Sequence, residues 1–101
     1  MEARGRTPLH FATKKGHGDC IGILLGRGAK VNAVDSLGIS PLHIAARVGD
    51  HVLVGKYIAA GALINIQDGT GNETPLHWAA HAGHSQVLVQ LLDAGAKVMI
   101  Y

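Results

Sequence analysis

The sequence predicts an all-α fold, a solenoid of three helix-turn-helix repeats joined by β-turn or hairpin-like loops. The first observation is a phrase that occurs three times, as "TPLHFATKKGH" from Thr7, "SPLHIAARVGD" from Ser40 and "TPLHWAAHAGH" from Thr74, spaced 33 and 34 residues apart. The second is a Gly-Ala pair late in each unit, starting at positions 28, 61 and 95. The third is an apolar stripe at helical spacing between the phrase and the pair. We therefore expect one domain, residues 1–101, with repeats at about 4–36, 37–69 and 70–101.

The first helix of each repeat is predicted to begin after a hydroxyl residue. The three N-cap residues are Thr7, Ser40 and Thr74. A proline follows each of them, at the first helical position, where its missing N–H is no loss. In the second repeat Leu42, Ala45 and Ala46 share one face, and the small alanines let a neighbouring helix approach closely. Glycines at positions 16, 49 and 83 are expected to end these helices in a left-handed conformation.

The second helix of each repeat is predicted from apolar residues at spacing i, i+1, i+4 and i+5, which form one buried face. These positions are Cys20, Ile21, Leu24, Leu25, Leu53, Val54, Tyr57, Ile58, Val87, Leu88, Leu91 and Leu92. Cys20 is thus interpreted as a small buried hydrophobe. Gly18, Gly22 and Gly26 recur every four residues in the first of these helices, and each costs about 1 kcal/mol relative to alanine. We interpret them as a poorly optimised exposed face rather than a track for a partner, and expect the first repeat to be the weakest.

Asp- and Gly-rich turns connect one repeat to the next. The turn between Asp68 and Thr74 is one residue longer than the turn between Asp35 and Ser40. Asn72 consequently takes the slot that glycine fills in the other copies. Asparagine tolerates positive φ better than most residues, so we expect the turn to survive with a tip that projects differently.

The phrases "TPLH", "AA", "GH", "LL" and "GA…VN" resemble ankyrin repeats, from about Gly5 to Val98. The resemblance implies an L-shaped stack of helix pairs with protruding turns, which works as a protein-binding scaffold and has no catalysis of its own. It also implies a structural role for His10, His43 and His77, whose rings would bond the capping hydroxyl and nearby backbone.

Composition favours a small folded intracellular protein. Hydrophobic residues make up 48% and charged residues 16% of 101 residues, which is too apolar for disorder. The single cysteine, Cys20, cannot form an internal disulfide, which favours a reducing compartment, cytoplasmic or nuclear. Neither a signal peptide nor an apolar stretch long enough to span a membrane is apparent.

The charge is unevenly distributed along the chain. Residues 1–30 contain six Lys or Arg and two acidic residues, a net charge of +4, whereas residues 31–101 contain three Lys or Arg and five acidic residues, a net charge of −2. A basic first repeat raises the possibility of nucleic-acid binding. The acidic second half argues against it, and we favour docking of an acidic protein segment.

Metal binding and catalysis are not expected. His77 and His81 have the i, i+4 spacing of a zinc site, with His84 just beyond, but His77 is needed at the turn and no carboxylate or thiolate lies nearby in sequence. Cys20 has His17 and Asp19 close to it, yet it belongs to the apolar stripe. No phosphate loop, nucleophile elbow or facing carboxylate pair is present. We therefore predict a non-enzymatic protein without a cofactor.

Binding residues are expected where the repeat pattern leaves side chains free, at the turn tips and along the inner face of the first helices. The predicted protein-binding residues are Arg6, Phe11, Lys14, Lys15, Leu37, Ile39, Ile44, Arg47, Val48, Glu73, Trp78 and His81. Leu37, Ile39, Ile44, Val48 and Trp78 are predicted to form an apolar centre with Lys14, Lys15 and Arg47 at its rim, suited to an acidic and apolar partner segment. The alternative is that Phe11, Ile44 and Trp78 only pack between adjacent helices.

The ends of the array suggest an alternative function. The chain closes on "GAKVMIY", with Met99 where Asn32 and Asn65 stand in the earlier copies. A fragment of a longer array, a cloning artefact or an end that stacks on another copy would each explain these apolar residues. The basic first repeat and the acidic third one suit weak head-to-tail self-association. The alternative function is therefore a structural unit that stacks through its ends.

Overall fold

The computed structural model describes residues 4–98 and contains six helices in that range. They are α1 (Pro8–Lys15), α2 (Gly18–Gly26), α3 (Pro41–Val48), α4 (His51–Ala59), α5 (Pro75–Ala82) and α6 (Ser85–Asp93). No strand occurs among these residues. The predicted all-α class with three helix-turn-helix units is confirmed.

Each inner helix (α1, α3, α5) begins with a capping box. The hydroxyl oxygens of Thr7, Ser40 and Thr74 accept a hydrogen bond from the backbone N–H of the histidine three residues later, and that histidine ring accepts one from the backbone N–H of the cap. The proline after the cap starts the helix. Glycines 16, 49 and 83 end the three helices at φ of 74°, 82° and 77°, as predicted.

The helices lie in two rows. The inner helices contact one another in the order α1, α3, α5, and each of them packs on the outer helix of its own repeat, α2, α4 or α6. In the outer row α4 packs on α6 more extensively than α2 packs on α4. The core between the rows includes Leu42, Leu53, Tyr57 and Leu91, all at most 2% exposed.

How far the apolar stripe of an outer helix is buried depends on whether another repeat lies next to it in the stack. Ile21, Val54 and Val87 are almost completely buried, as predicted. Cys20 is exposed, so the prediction that it is buried is wrong. The equivalent residue of the second repeat, Leu53, packs towards Gly18 of the repeat before it. Within the described residues no repeat precedes the first one, so Cys20 has nothing to pack against.

The other end of the stack shows the same effect. Leu92 is 38% exposed, although the stripe predicts that it is buried. The equivalent residue in α4, Ile58, packs against the core because a third repeat follows it. Both errors have one cause, since the sequence pattern of a repeat does not distinguish an internal repeat from a terminal one.

An aspartate organises each turn between repeats. The Oδ1 atom of Asp35 accepts backbone N–H groups of Leu37 and Ile39. The equivalent atom of Asp68 accepts from three backbone N–H groups in the longer turn. Asn72 adopts a φ of 55°, which confirms that it takes the slot of a left-handed glycine.

Neighbouring turn tips also bond to each other. The backbone N–H of Gly69 donates to the carbonyl of Leu37 at 2.7 Å, and that of Ser36 donates to the carbonyl of Arg4 at 2.6 Å. These bonds hold successive tips in register along one edge of the stack.

The apolar terminal residues Met99, Ile100 and Tyr101 lie outside the described residues. Among the helices of residues 4–98, none is long and apolar enough to cross a membrane.

The glycines of α2 provide a test of the weak first repeat. A Cβ at Gly22 would meet no atom within 4 Å, and its φ is not positive. We expect Gly22→Ala to raise the free energy of unfolding by about 0.5–1 kcal/mol, because alanine loses less backbone entropy on folding. Urea unfolding followed by circular dichroism measures the change.

The matched control is Gly28→Ala, which also meets no atom but sits at φ of 90°. We expect this variant to be less stable than the wild type, because alanine is strained in that conformation. If Gly22→Ala is neutral or destabilising, the account of α2 as poorly optimised is contradicted.

Candidate functional site

Near their carboxyl ends the inner helices expose side chains along one face of the stack, which we call the groove. Lys14, Arg47 and His81 occupy equivalent positions near the ends of α1, α3 and α5, and all three are exposed. They form a polar ladder along the groove, with a cationic side chain in each of the first two repeats.

Trp78 is the organising residue of the groove. The guanidinium carbon of Arg47 lies 5.2 Å from the centre of its ring, in cation–π contact. The ring of His43 packs against it at a centroid distance of 5.0 Å. Its indole Nε1–H donates to Oδ2 of Asp68 at 3.0 Å. The contacts with Arg47, His43 and Asp68 together fix the orientation of the indole.

Asp68 is an ionised anchor for this arrangement. Its burial alone would raise the pKa of the carboxyl, but hydrogen bonds from the backbone of Gly71 and Glu73 and from Trp78 outweigh that effect and lower the pKa below its ordinary value. One oxygen of the carboxylate thus holds the turn while the other holds the indole.

A shallow open cavity of about 210 Å³ lies beside Trp78. It is lined by Arg47, Glu73, Trp78, His81 and Ala82. The backbone of Arg47 is itself held, because the Nε2 atom of His84 donates to its carbonyl at 2.8 Å. The cavity offers an aromatic wall, one fixed cation and one carboxylate, which can take an apolar side chain with a polar neighbour.

His43 packs against Trp78 and bonds the backbone of Glu73, two of the residues that line the cavity. Its Nδ1 atom accepts the backbone N–H of Ser40 at 3.1 Å, and its Nε2 atom donates to the carbonyl of Glu73 at 2.8 Å. The ring must therefore be neutral with its proton on Nε2. Burial lowers the pKa of His43, although the Glu73 carbonyl and the charges of Asp68 and Asp35 oppose the shift.

The structure brings four of the predicted binding residues, Arg47, Glu73, Trp78 and His81, around one cavity. Leu37 and Val48 are 42% and 43% exposed, and Lys14 is also exposed, but none of these three lines that cavity. Phe11 and Lys15 are exposed at a different place, the amino-terminal end of the stack.

Ile39 and Ile44 are 8% and 2% exposed, so the predicted apolar centre is wrong for both. The Ile39 backbone is bonded within its turn and to His10 of the preceding repeat, in a position where the side chain is buried. Ile44 occupies in α3 the position that Phe11 has in α1, and in α3 the preceding repeat covers it. The alternative interpretation, packing between adjacent helices, therefore fits Ile44 and not Phe11, which is 54% exposed.

Arg6 lies against the turn between the first and second repeats. Its Nε atom lies 3.7 Å from Oδ2 of Asp35, and its side chain is 21% exposed. Sequence reasoning missed the role of Asp68, which positions Trp78. The recurring turn aspartates at 35 and 68 were the available signal, but the spacing does not show that the second one reaches a tryptophan ten residues later.

The predicted structural role of the "PLH" histidines is confirmed. The rings of His10, His43 and His77 bond the capping hydroxyl of their own helix. His77 is thus turned away from His81, which lines the groove. Across residues 4–98, no three His, Cys, Asp or Glu side chains come together in a way that could hold a metal ion.

Comparison with known families matches nearly the whole chain. The profile described as "Ankyrin repeats (3 copies)" matches residues 28–101, and the profile described as "Ankyrin repeat" matches residues 4–36. No curated protein sequence matches the chain.

The neutral ring of His43 predicts loss of stability in mild acid. Its pKa in the folded state is below the ordinary value of 6.5, so its contribution is present above that value and is lost as the pH falls through the folded pKa. We expect His43 to add a slope of up to about 1.4 kcal/mol per pH unit to the free energy of unfolding below pH ~6.5. Urea unfolding at several pH values measures the slope.

His43→Gln isolates this contribution, because glutamine can complete a capping box and does not titrate. His81→Gln, at an exposed position, is the matched control. We expect a shallower slope for His43→Gln and an unchanged slope for His81→Gln. An unchanged slope in both variants would show that His43 is not the acid-sensitive group.

Proposed function

Because the chain belongs to the ankyrin-repeat family, whose members are generally protein–protein interaction modules, we propose that it binds a partner protein in its concave groove. The observation that carries this proposal is the fixed pair of Arg47 and Trp78 beside an open cavity. Tryptophan and arginine are common hot-spot residues, and this pair is held in place before any partner arrives. The turn tips beside the groove complete the binding surface.

The partner segment combines an acidic and an apolar side chain. The apolar side chain lies on the open part of the Trp78 ring, and the acidic one pairs with Arg47, with Lys14 one repeat further along the groove. Glu73, on the cavity wall, disfavours a second acidic residue at that side. These charges define both a preferred partner and a preferred direction for it.

We propose no enzymatic activity and no cofactor, in keeping with a family that is typically non-enzymatic. We also do not propose nucleic acid as the partner, because Asp68 and Glu73 lie at the same site as Arg47 and would repel phosphates. An intracellular location, cytoplasmic or nuclear, belongs to the proposal, since the exposed Cys20 thiol is compatible with a reducing compartment.

A second candidate function is that of a structural unit which stacks through its ends. The observation that favours it is the exposure of apolar side chains at both ends of the stack, including Phe11 and Leu92. Such surfaces mark interaction sites when several apolar residues lie together.

A selection experiment tests the groove proposal. The intact chain is immobilised and used to select short peptides from a random phage-displayed library. We expect binders with Asp or Glu next to an aliphatic or aromatic residue, and Arg47→Glu should weaken binding of the purified peptides at least about ten-fold, because it reverses the charge over Trp78.

Arg27→Glu is the matched control, since it makes the same charge change just after the outer helix α2. It should leave binding within about two-fold of the wild type. Equal losses in both variants would indicate a non-specific charge effect, and unaffected binding in Arg47→Glu would place the peptide site outside the groove.

A further inference from the structure

Each end of the stack has an apolar face that no other element covers within residues 4–98. The amino-terminal end face surrounds a cavity of about 460 Å³ lined by Phe11, Lys15, His17, Cys20, Ile23 and Leu24, among others. The carboxyl-terminal end face surrounds one of about 270 Å³ lined by Leu76, His77, Ala80, Leu88, Leu92 and Val98. The first face contains a lysine, whereas the second contains only apolar residues and a histidine.

The internal interfaces show how such faces fit together. Ile44, at the position of Phe11, is 2% exposed, and Leu53, at the position of Cys20, is also 2% exposed. Ala46, at the position of Ala80, is fully buried. The end faces thus expose several positions whose equivalents in the second repeat are buried.

Histidines also set the register of the internal interfaces. His10 and His43 each use Nε2 to bond a backbone carbonyl of the following repeat, at Ile39 and Glu73. In the reverse direction, the Nε2 of His84 bonds the carbonyl of Arg47 in the preceding repeat. Part of each internal interface is therefore fixed by hydrogen bonds between an imidazole and backbone, whose acceptors do not depend on the side chains of the neighbouring repeat.

The end faces carry the same two histidines. His77 is the "PLH" histidine of the third repeat, and among the described residues its Nε2 has no hydrogen-bond partner, while its Nδ1 serves the cap. His17 precedes α2 as His84 precedes α6, and its side chain makes no capping bond. One unused ring nitrogen thus lies at each end, in the place where an internal interface uses it.

We propose that a second copy of this chain occupies the end faces, head to tail, in the register of the internal interfaces. In this arrangement His77 of one copy donates to the carbonyl of Arg6 in the next, and His17 of the next copy donates back to the carbonyl of His81. Phe11 and Cys20 pack against the face that includes Ala80 and Leu92. This inference rests on the second candidate function, and adds the occupant and its register.

Charge favours the same orientation. Residues 1–30 have a net charge of +4, whereas the third repeat, residues 70–101, contains Glu73, Asp93 and Lys97 and has a net charge of −1, so the unlike ends attract each other and like ends repel. The contact joins two different faces and does not close on itself, so it builds open chains of increasing length.

The contact between copies is weaker than an internal one. Lys56 and Gln90 donate from the outer helices to the carbonyls of Gly18 and His51 in the preceding repeat. Ile23 occupies the equivalent position in the first repeat and cannot donate. Because the contact between copies lacks this hydrogen bond, we expect it to be weak and the chains to lengthen only as the protein concentration rises.

Sedimentation velocity with single-face variants tests the arrangement. Phe11→Asp disables the amino-terminal end face and Leu92→Asp disables the carboxyl-terminal one, and both residues are exposed, so the fold should persist by circular dichroism. We expect the wild type at low salt to grow past dimer between micromolar and millimolar concentration. Each variant alone should stay monomeric, and an equal mixture should form a dimer that grows no further.

Two further variants sharpen the result. Val89→Asp adds the same charge at an exposed valine of α6 that lines neither end face, and should associate like the wild type. His17→Ala should weaken association about five-fold, the equivalent of one hydrogen bond. A wild type that stays monomeric throughout, or variants that still dimerise alone, would overturn the proposal.

A tandem chain separates this inference from the function on which it rests. Direct fusion of Tyr101 to Met1 sets Thr74 and the next Thr7 34 residues apart, which equals the spacing from Ser40 to Thr74. In one outcome free copies stay monomeric while the tandem unfolds in one transition above the melting temperature of the single chain. That result would support the stacking function and would exclude a separate second copy as the occupant of the end faces. If the tandem unfolds like two independent copies, the stacking function fails as well. Arg47→Glu reports separately on the groove.

Discussion

The stack depends on a histidine ring that is hydrogen-bonded at both nitrogens where one repeat meets the next. One nitrogen of His43 completes the cap of its own helix, and the other bonds the carbonyl of Glu73 in the following repeat. His10 does the same towards Ile39. The start of each inner helix and the position of its neighbour are therefore set by one side chain. The two bonds require a neutral ring, in which one nitrogen accepts a hydrogen bond and the other donates one. The stacking of one repeat on the next therefore depends on the protonation state of this ring. The hydrophobic contacts between repeats supply most of the stabilisation, but they are less directional, and the histidine bonds together with the bonds between turn tips select the register.

The side chains used in these hydrogen bonds are not available for recognition, so the fold decides which residues remain for a partner. The turn aspartates, the capping hydroxyls and the "PLH" histidines His10 and His43 all serve the fold, and His77 uses only its Nδ1 atom in this way. The residues left along the groove differ between repeats, and between the second and third repeats they meet in the contact of Arg47 with Trp78. Asp68 links the two roles, because one oxygen shapes the turn and the other orients the indole. The same logic applies at the ends, where residues that an internal repeat would bury are exposed. One repeated pattern thus supplies both the scaffold and the recognition surface. The residues available to a partner are those that differ between repeats and those exposed at the ends of the stack.

The sequence predicts the fold well because each signal is local and occurs three times. Caps, helix-ending glycines and the left-handed Asn72 follow from backbone chemistry within a few residues, and the structure confirms them. The site was less predictable, since exposure depends on which neighbours are present. The repeat pattern predicts that Cys20 is buried like its internal equivalents, although it is exposed, and for Ile44 it leaves both a surface and a packed position open, of which the structure shows the packed one. The bond from Trp78 to Asp68 crosses a turn whose path depends on one inserted residue, so spacing alone could not reveal it. Positions along one helix can be read from periodicity, but contacts between repeats require the assembled stack.

The central claim is that a helix pair cannot hide its apolar side alone and folds only when neighbours cover it. The most direct measurement is the far-ultraviolet circular dichroism of a peptide with residues 37–69, the repeat that is covered on both sides in the intact protein. Its buried residues include Leu42, Leu53 and Tyr57, all of which would face water in isolation. The account predicts the spectrum of an unfolded chain under conditions in which the intact protein is helical. A helical spectrum with a cooperative thermal transition in the isolated peptide would contradict it.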